Sequence, residues 1–243
     1  MAKKRRDTLE TGINRFAADV EKAAGDNLVS LVLYGSAARG TATEDSDVNL
    51  LLVLTDASAA GLRPLGDVVR AWAKAGERPP LIFSEAGWRA SADVFPIEIE
   101  DVREAHRVLR GTDPVVGITT HADDLRRELE RETRGKLVQL NAQYAAAVGD
   151  GKALTALVAA SARTFLHLFR AAVRAAGRTP PEDRRALVAT AAEIGGFDAG
   201  AFDWPLAKMA GEPRPDLASH DPAAARYLDA LSTFVDYVDR ASA

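Results

Sequence analysis

Not one of the 243 residues is cysteine, which excludes disulfides, zinc–thiolate centres and thiol nucleophiles. Aromatic residues make up only 6%, and Trp72, Trp88 and Trp204 are scattered, so no stacking ladder for single-stranded nucleic acid is present. A basic excess is missing as well. The 31 Lys and Arg stand against 35 Asp and Glu, a formal net charge of −4, which argues against nucleic acid as a partner. No apolar run approaches the ~18–20 residues of a membrane span, and no apolar segment follows the basic run Lys3–Arg6 to make a signal peptide. The four histidines form no i, i+4 pair, so a histidine-based metal site is not expected. These absences predict a cytoplasmic protein with no membrane segment, and Lys3–Arg6 reads as a solvated N-terminal tail.

What is present is an ordinary folding composition, 47% hydrophobic and 27% charged. Two halves follow different patterns. Residues 1–115 alternate strand-like and helix-like segments. Leu28–Tyr34 and Val48–Leu54 read as strands, the second apolar almost throughout, as a strand buried on both faces should be. A helical segment spans Ala57–Ala75, its regular part starting near Pro64; Leu81–Ser84 reads as a third strand and Val94–Ile99 as a fourth. Residues 116–243 switch to a period of 3.6. One stripe runs from Leu125 to Val148, a second from Leu154 to Val173, a third over Leu187–Ile194 and a last from Leu228 to Val238. The expected architecture is an α/β (α+β) N-terminal domain with a mixed sheet, followed by an all-α helical bundle.

The segment that carries chemistry is Leu31–Val53, LVLYGSAARGTATEDSDVNLLLV. Gly35 allows a sharp turn after the first strand, with amides directed at an anion. Ser36 is a candidate cap for the short helix that follows, and Gly40 suits a left-handed exit from it. Asp47 and Asn49, two apart on a strand, face the same side.

Gly35, Ser36, Asp47 and Asn49, with Arg39, Gly40 and Ser46 in keeping, resemble the nucleotidyltransferase superfamily, the DNA polymerase β-like fold, whose motif is a Gly-Ser turn followed by Asp-x-Asp. The continuation through Asp101, Glu104, His106, Val108-Leu109 and Gly111, and then Gly135-Lys136, resembles bacterial nucleotidyltransferases with a helical C-terminal domain. The resemblance implies a nucleoside triphosphate held at Gly35, Ser36, Arg39, Ser46 and Lys136. It implies Mg2+ or Mn2+ held by Asp47, residue 49 and a third carboxylate, for which Phe95-Pro96-Ile97-Glu98-Ile99 supplies Glu98, with Glu100 in reserve. The reaction implied moves a nucleoside monophosphate to a hydroxyl acceptor, a small molecule or a protein side chain.

Asn49 departs from the motif. It removes a negative charge that two divalent ions facing a triphosphate require, which predicts single-ion or weakened metal binding and impaired turnover. The same residues therefore support a second expectation, a catalytically inactive member that binds nucleotide or a protein partner. His106 is placed in a helical turn, His167 among apolar neighbours, and the charges around Arg126–Glu132 on a solvated helix face.

Overall fold

The computed structural model describes residues 2–40 and 47–242. It divides into two compact units, residues 1–120 and 121–243.

The first unit is built from helix α1 (Ala2–Ala24), strand β1 (Leu28–Tyr34), the short helix α2 (Ser36–Arg39) and strand β2 (Asn49–Leu54). It continues through helices α3 (Ala59–Leu62) and α4 (Gly66–Lys74), strand β3 (Leu81–Ser84), helices α5 (Glu85–Arg89) and α6 (Pro96–Glu104), and strand β4 (His106–Gly111). The four strands form one mixed sheet in the order β3-β2-β1-β4, with β1 antiparallel to both neighbours and β2 parallel to β3.

Alternation along β1 and β2 divides their side chains between two cores. On one face Leu31, Leu33, Leu50, Leu52 and Leu54 meet Ile13, Phe16 and Val20 of α1 together with Leu65 and Trp72. On the other, Val32, Tyr34, Leu51 and Val53 pack with Trp88, Ile99, Val102 and Ile118. Both faces of β2 are thus covered, the arrangement its unbroken apolar sequence predicts. Ion pairs from Glu10 to Arg107 (2.7 Å) and from Glu21 to Arg110 (2.6 Å) tie α1 to β4.

Several expectations need correction. Residues 94–99 are not a strand: Pro96 opens α6 as its first residue, where its missing N–H costs nothing, and Glu98 sits in the favoured acidic first turn. The fourth strand is His106–Gly111, an edge strand whose mixture of charged and apolar residues gives little strand signal. His106 begins that strand rather than lying in a helical turn. Lys3–Arg6 belongs to α1, not to a tail.

The second unit consists of α7 (Ala122–Ala147), α8 (Gly151–Ala175), α9 (Arg184–Gly195), α10 (Asp203–Met209) and α11 (Pro222–Ser242). Its core centres on Phe169, whose ring packs within 5.2 Å of those of Phe197, Phe202 and Phe234. Asp150 and Asp183 cap α8 and α9 by accepting backbone amides in the first turn. Against expectation α8 has the length and apolarity to cross a membrane, although half of its apolar window is buried in the bundle. Glu128 is buried rather than solvated, while His167 is exposed.

Candidate functional site

Strand order and direction bring four chain segments to one end of the sheet. Because β1 runs antiparallel to β2 and β4, its last residue, Tyr34, pairs with Asn49 at the start of β2 and with His106 at the start of β4. Because β2 runs parallel to β3 with Leu51 opposite Leu81, the segment before β3, including Arg78, returns to that same end. The Gly-Ser turn after β1, the Asp47–Asn49 step, Arg78 and the end of α6 therefore meet there.

The turn depends on Gly35. Its φ of 74° and ψ of −147° lie where side-chain-bearing residues are strained, and a Cβ there would come 3.2 Å from Asn49 Nδ2. The Gly35 amide donates to the carbonyl of Ala105 (3.0 Å), which fixes the turn to the end of α6 and removes that amide from anion binding. Gly35, not Ser36, occupies the cap position; Ser36 is the first residue of α2. Gly40 leaves α2 with φ 76° and ψ 14°, the left-handed exit expected of it.

Asn49 shares the strand parity of Leu51 and Val53, the face that packs with Tyr34 and α6. Asp47 is exposed, and its Oδ2 lies 3.1 Å from Arg78 Nη2. Glu98 and Asp101, one turn apart on α6, both act electrostatically on Tyr34. Burial is the main cause that raises the Tyr34 phenol far above its ordinary value. The two carboxylates add to it, and the Arg78 guanidinium opposes it. Oε2 of Glu98 and Oδ1 of Asp101 are both shielded from solvent. Glu98 thus stands near this end of the sheet from a helix rather than a strand. Glu100 turns elsewhere, to Arg103 and the Thr120 hydroxyl.

Arg39 Nη1 forms a half-buried ion pair with Glu104 Oε1 at 2.9 Å, linking α2 to α6. His106 is held by Val102 O (2.8 Å) and Asp113 (3.3 Å). Lys136 is a half-buried residue of α7 in the second unit, and Arg134 pairs with Asp239 there. Ser46 lies outside the described residues. Sequence reasoning did not single out Arg78, and it named Asp101 only within the resemblance, with no role in the site. The i, i+3 spacing of Glu98 and Asp101 signals the second once α6 is taken as a helix.

Among the described residues no group of three His, Cys, Asp or Glu side chains comes together as a metal-binding set. With an amide at residue 49 and a guanidinium on Asp47, the donors do not fit a two-ion centre. They leave room for a single hard cation that takes one or two carboxylates and completes its shell with phosphate and water oxygens.

A family model described as a nucleotidyltransferase domain matches residues 13–89, the stretch that contains the Gly-Ser turn, Asp47, Asn49 and Arg78. Over that stretch the chain is similar to the nucleotidyltransferase domain. A Methanocaldococcus jannaschii protein named "Putative protein adenylyltransferase MJ1305" is 46% identical over 45 residues, 18% of this chain. The match spans 31% of that relative's length. Spectinomycin adenyltransferase AAD(9) from Enterococcus faecialis, solved with ATP and spectinomycin, superposes with a TM-score of 0.58 at 10% identity. That superposition covers 93% of this chain and 98% of the other, and it is a likeness of fold.

Proposed function

We propose that the first unit binds a nucleoside triphosphate at the Gly35–Ser36 turn and transfers its nucleoside monophosphate to a hydroxyl on a small molecule or a protein. The observation that carries this reading is the Tyr34–Asn49 pairing, which sets the glycine turn against the start of β2, with Asp47 two residues upstream. In this reading the first-turn amides of α2 after Gly35 meet phosphate oxygens, since such amides have no carbonyl four residues back within their helix. Asp47, with the Asn49 amide oxygen and Glu98, would hold one Mg2+ or Mn2+. Such an ion supplies charge neutralisation to the triphosphate and the leaving pyrophosphate. Glu98, shielded from solvent on one oxygen, accepts the proton of the attacking hydroxyl. The relatives named for adenylyl transfer make ATP the first nucleotide to test.

Calorimetric titration of ATP, GTP, CTP and UTP, with and without Mg2+ or Mn2+, tests this without knowledge of the acceptor. The expected result is saturable binding of at least one triphosphate, strengthened by the divalent ion. Absence of binding of all four at millimolar concentration overturns the reading.

Asn49 supports a second reading, a site that binds nucleotide or a protein partner without turnover. In that case triphosphate binds but is recovered intact after prolonged incubation with Mg2+ and candidate acceptors.

A further inference from the structure

Resting on the nucleotide-binding reading above, we propose that Arg78 is a fixed cation of the site: its guanidinium binds the triphosphate and supplies charge that a second divalent ion would otherwise provide.

Arg78 is brought to the site by topology. It lies three residues before Leu81, which pairs in parallel with Leu51, while Asp47 lies four residues before Leu51 on the adjacent strand. Its backbone is anchored, because Trp72 Nε1 donates to the Arg78 carbonyl at 2.9 Å and the Trp72 ring is buried against Phe16. Pro79 and Pro80 follow directly and restrict the chain between this anchor and β3. A rigid base therefore carries a side chain that is 69% exposed. Solvent, and any ligand that enters from it, can reach the guanidinium.

The charge balance at this end of the sheet argues the same way. Asp47, Glu98 and Asp101 are carboxylates here, Glu104 is engaged by Arg39, and Asn49 contributes no charge. A triphosphate brings about four more negative charges. Arg78 is the cation whose charge reaches both Asp47 and Tyr34. The contact to Asp47 uses one nitrogen of a planar fork that has five N–H donors, so the same guanidinium can hold Asp47 and donate to phosphate oxygens. A lysine could not divide its charge with the same geometry. The amide at residue 49 and the guanidinium at residue 78 are thus two parts of one adjustment, which lowers the requirement for metal charge by removing an anion and adding a cation.

The test is ATP and adenosine binding by calorimetry, in EDTA and in Mg2+, for the wild type, Arg78→Gln and Arg78→Lys. The expected result is that wild-type protein retains measurable ATP binding in EDTA. Arg78→Gln should weaken ATP binding roughly tenfold or more in both buffers, Arg78→Lys should fall between, and adenosine affinity should stay unchanged. An unchanged thermal midpoint in Arg78→Gln confirms an intact fold. Wild-type binding of ATP with no loss in Arg78→Gln overturns this inference and leaves the nucleotide reading standing. So does an equal loss for adenosine, or ATP binding that vanishes in EDTA. Failure of wild-type protein to bind any triphosphate overturns both.

Discussion

The α-carbon of Gly35 faces the side-chain amide of Asn49 so closely that a methyl group on it would sit 3.2 Å from Nδ2. The Gly-Ser turn and the acidic step, twelve to fourteen residues apart in sequence, are packed against each other in this protein.

Gly35→Ala should therefore destabilise the first unit by about 1–2 kcal/mol, from left-handed backbone strain alone, with crowding of Asn49 in addition. Urea denaturation followed by tryptophan fluorescence measures it, since Trp72 and Trp88 both lie in this unit. A loss below a few tenths of a kcal/mol would show that the turn relaxes freely.

Asn49→Asp restores a charged ligand next to Asp47. It should raise Mg2+-linked triphosphate affinity about tenfold or more, and turnover with it if the remaining groups are in place. Calorimetry at several Mg2+ concentrations reads the first effect, and pyrophosphate release reads the second. No gain in either would mean that residue 49 does not approach the metal.

The Arg39–Glu104 pair joins α2 to the end of α6 with side chains 15% and 26% exposed. Glu104→Gln should cost about 1–2 kcal/mol, between the values typical of surface and buried ion pairs. Because α2 carries the Gly-Ser turn, weaker triphosphate binding should accompany the loss. A fully stable Glu104→Gln protein with normal binding would show that the pair is incidental.

Tyr34 and Tyr227 give the protein an alkaline limit. Burial raises both phenols above the ordinary value of 10.0, and for Tyr34 the neighbouring Glu98 and Asp101 act in the same direction. Above that pH the unfolded chain loses these protons while the folded chain keeps them, so the folded state binds more protons and its stability falls as pH rises. Denaturant midpoints should hold up to about pH 10 and then decline, and a Tyr34→Phe, Tyr227→Phe double variant should decline less steeply.

In the second unit Phe169 is fully buried at the centre of a cluster of four phenylalanines. Phe169→Ala should remove about 3–5 kcal/mol, seen as a lower thermal midpoint. An effect under 1 kcal/mol would mean that the cluster collapses into the space.

Much of this protein was legible in its sequence, where the signal is local. Gly40 reads as a left-handed exit because few other residues tolerate that backbone. The strand Asn49–Leu54 reads from its unbroken apolar run, and the two long bundle helices read from their 3.6-residue stripes. The motif residues Gly35, Asp47 and Asn49 were found for the same reason: they lie within one short stretch. Periodicity misled where two patterns coincide. The alternation in Phe95–Glu100 imitates a strand, and only the helical geometry of α6, opened by Pro96, shows that Glu98 acts on Tyr34 together with Asp101, one turn on, rather than sharing a strand face with Glu100.

Sequence by itself determined the first three strands, the long bundle helices, the two-part division of pattern and the glycine turn, because these depend on backbone preferences and on spacing along the chain. Tertiary structure alone decided which residues meet. The antiparallel pairing of β1 with β2 and β4, and the parallel return of β3, place Tyr34, Asn49, Arg78 and the end of α6 at one edge. No local pattern encodes that meeting, because strand order is fixed by how the two faces of the sheet bury their apolar side chains, a property of the whole unit rather than of any segment.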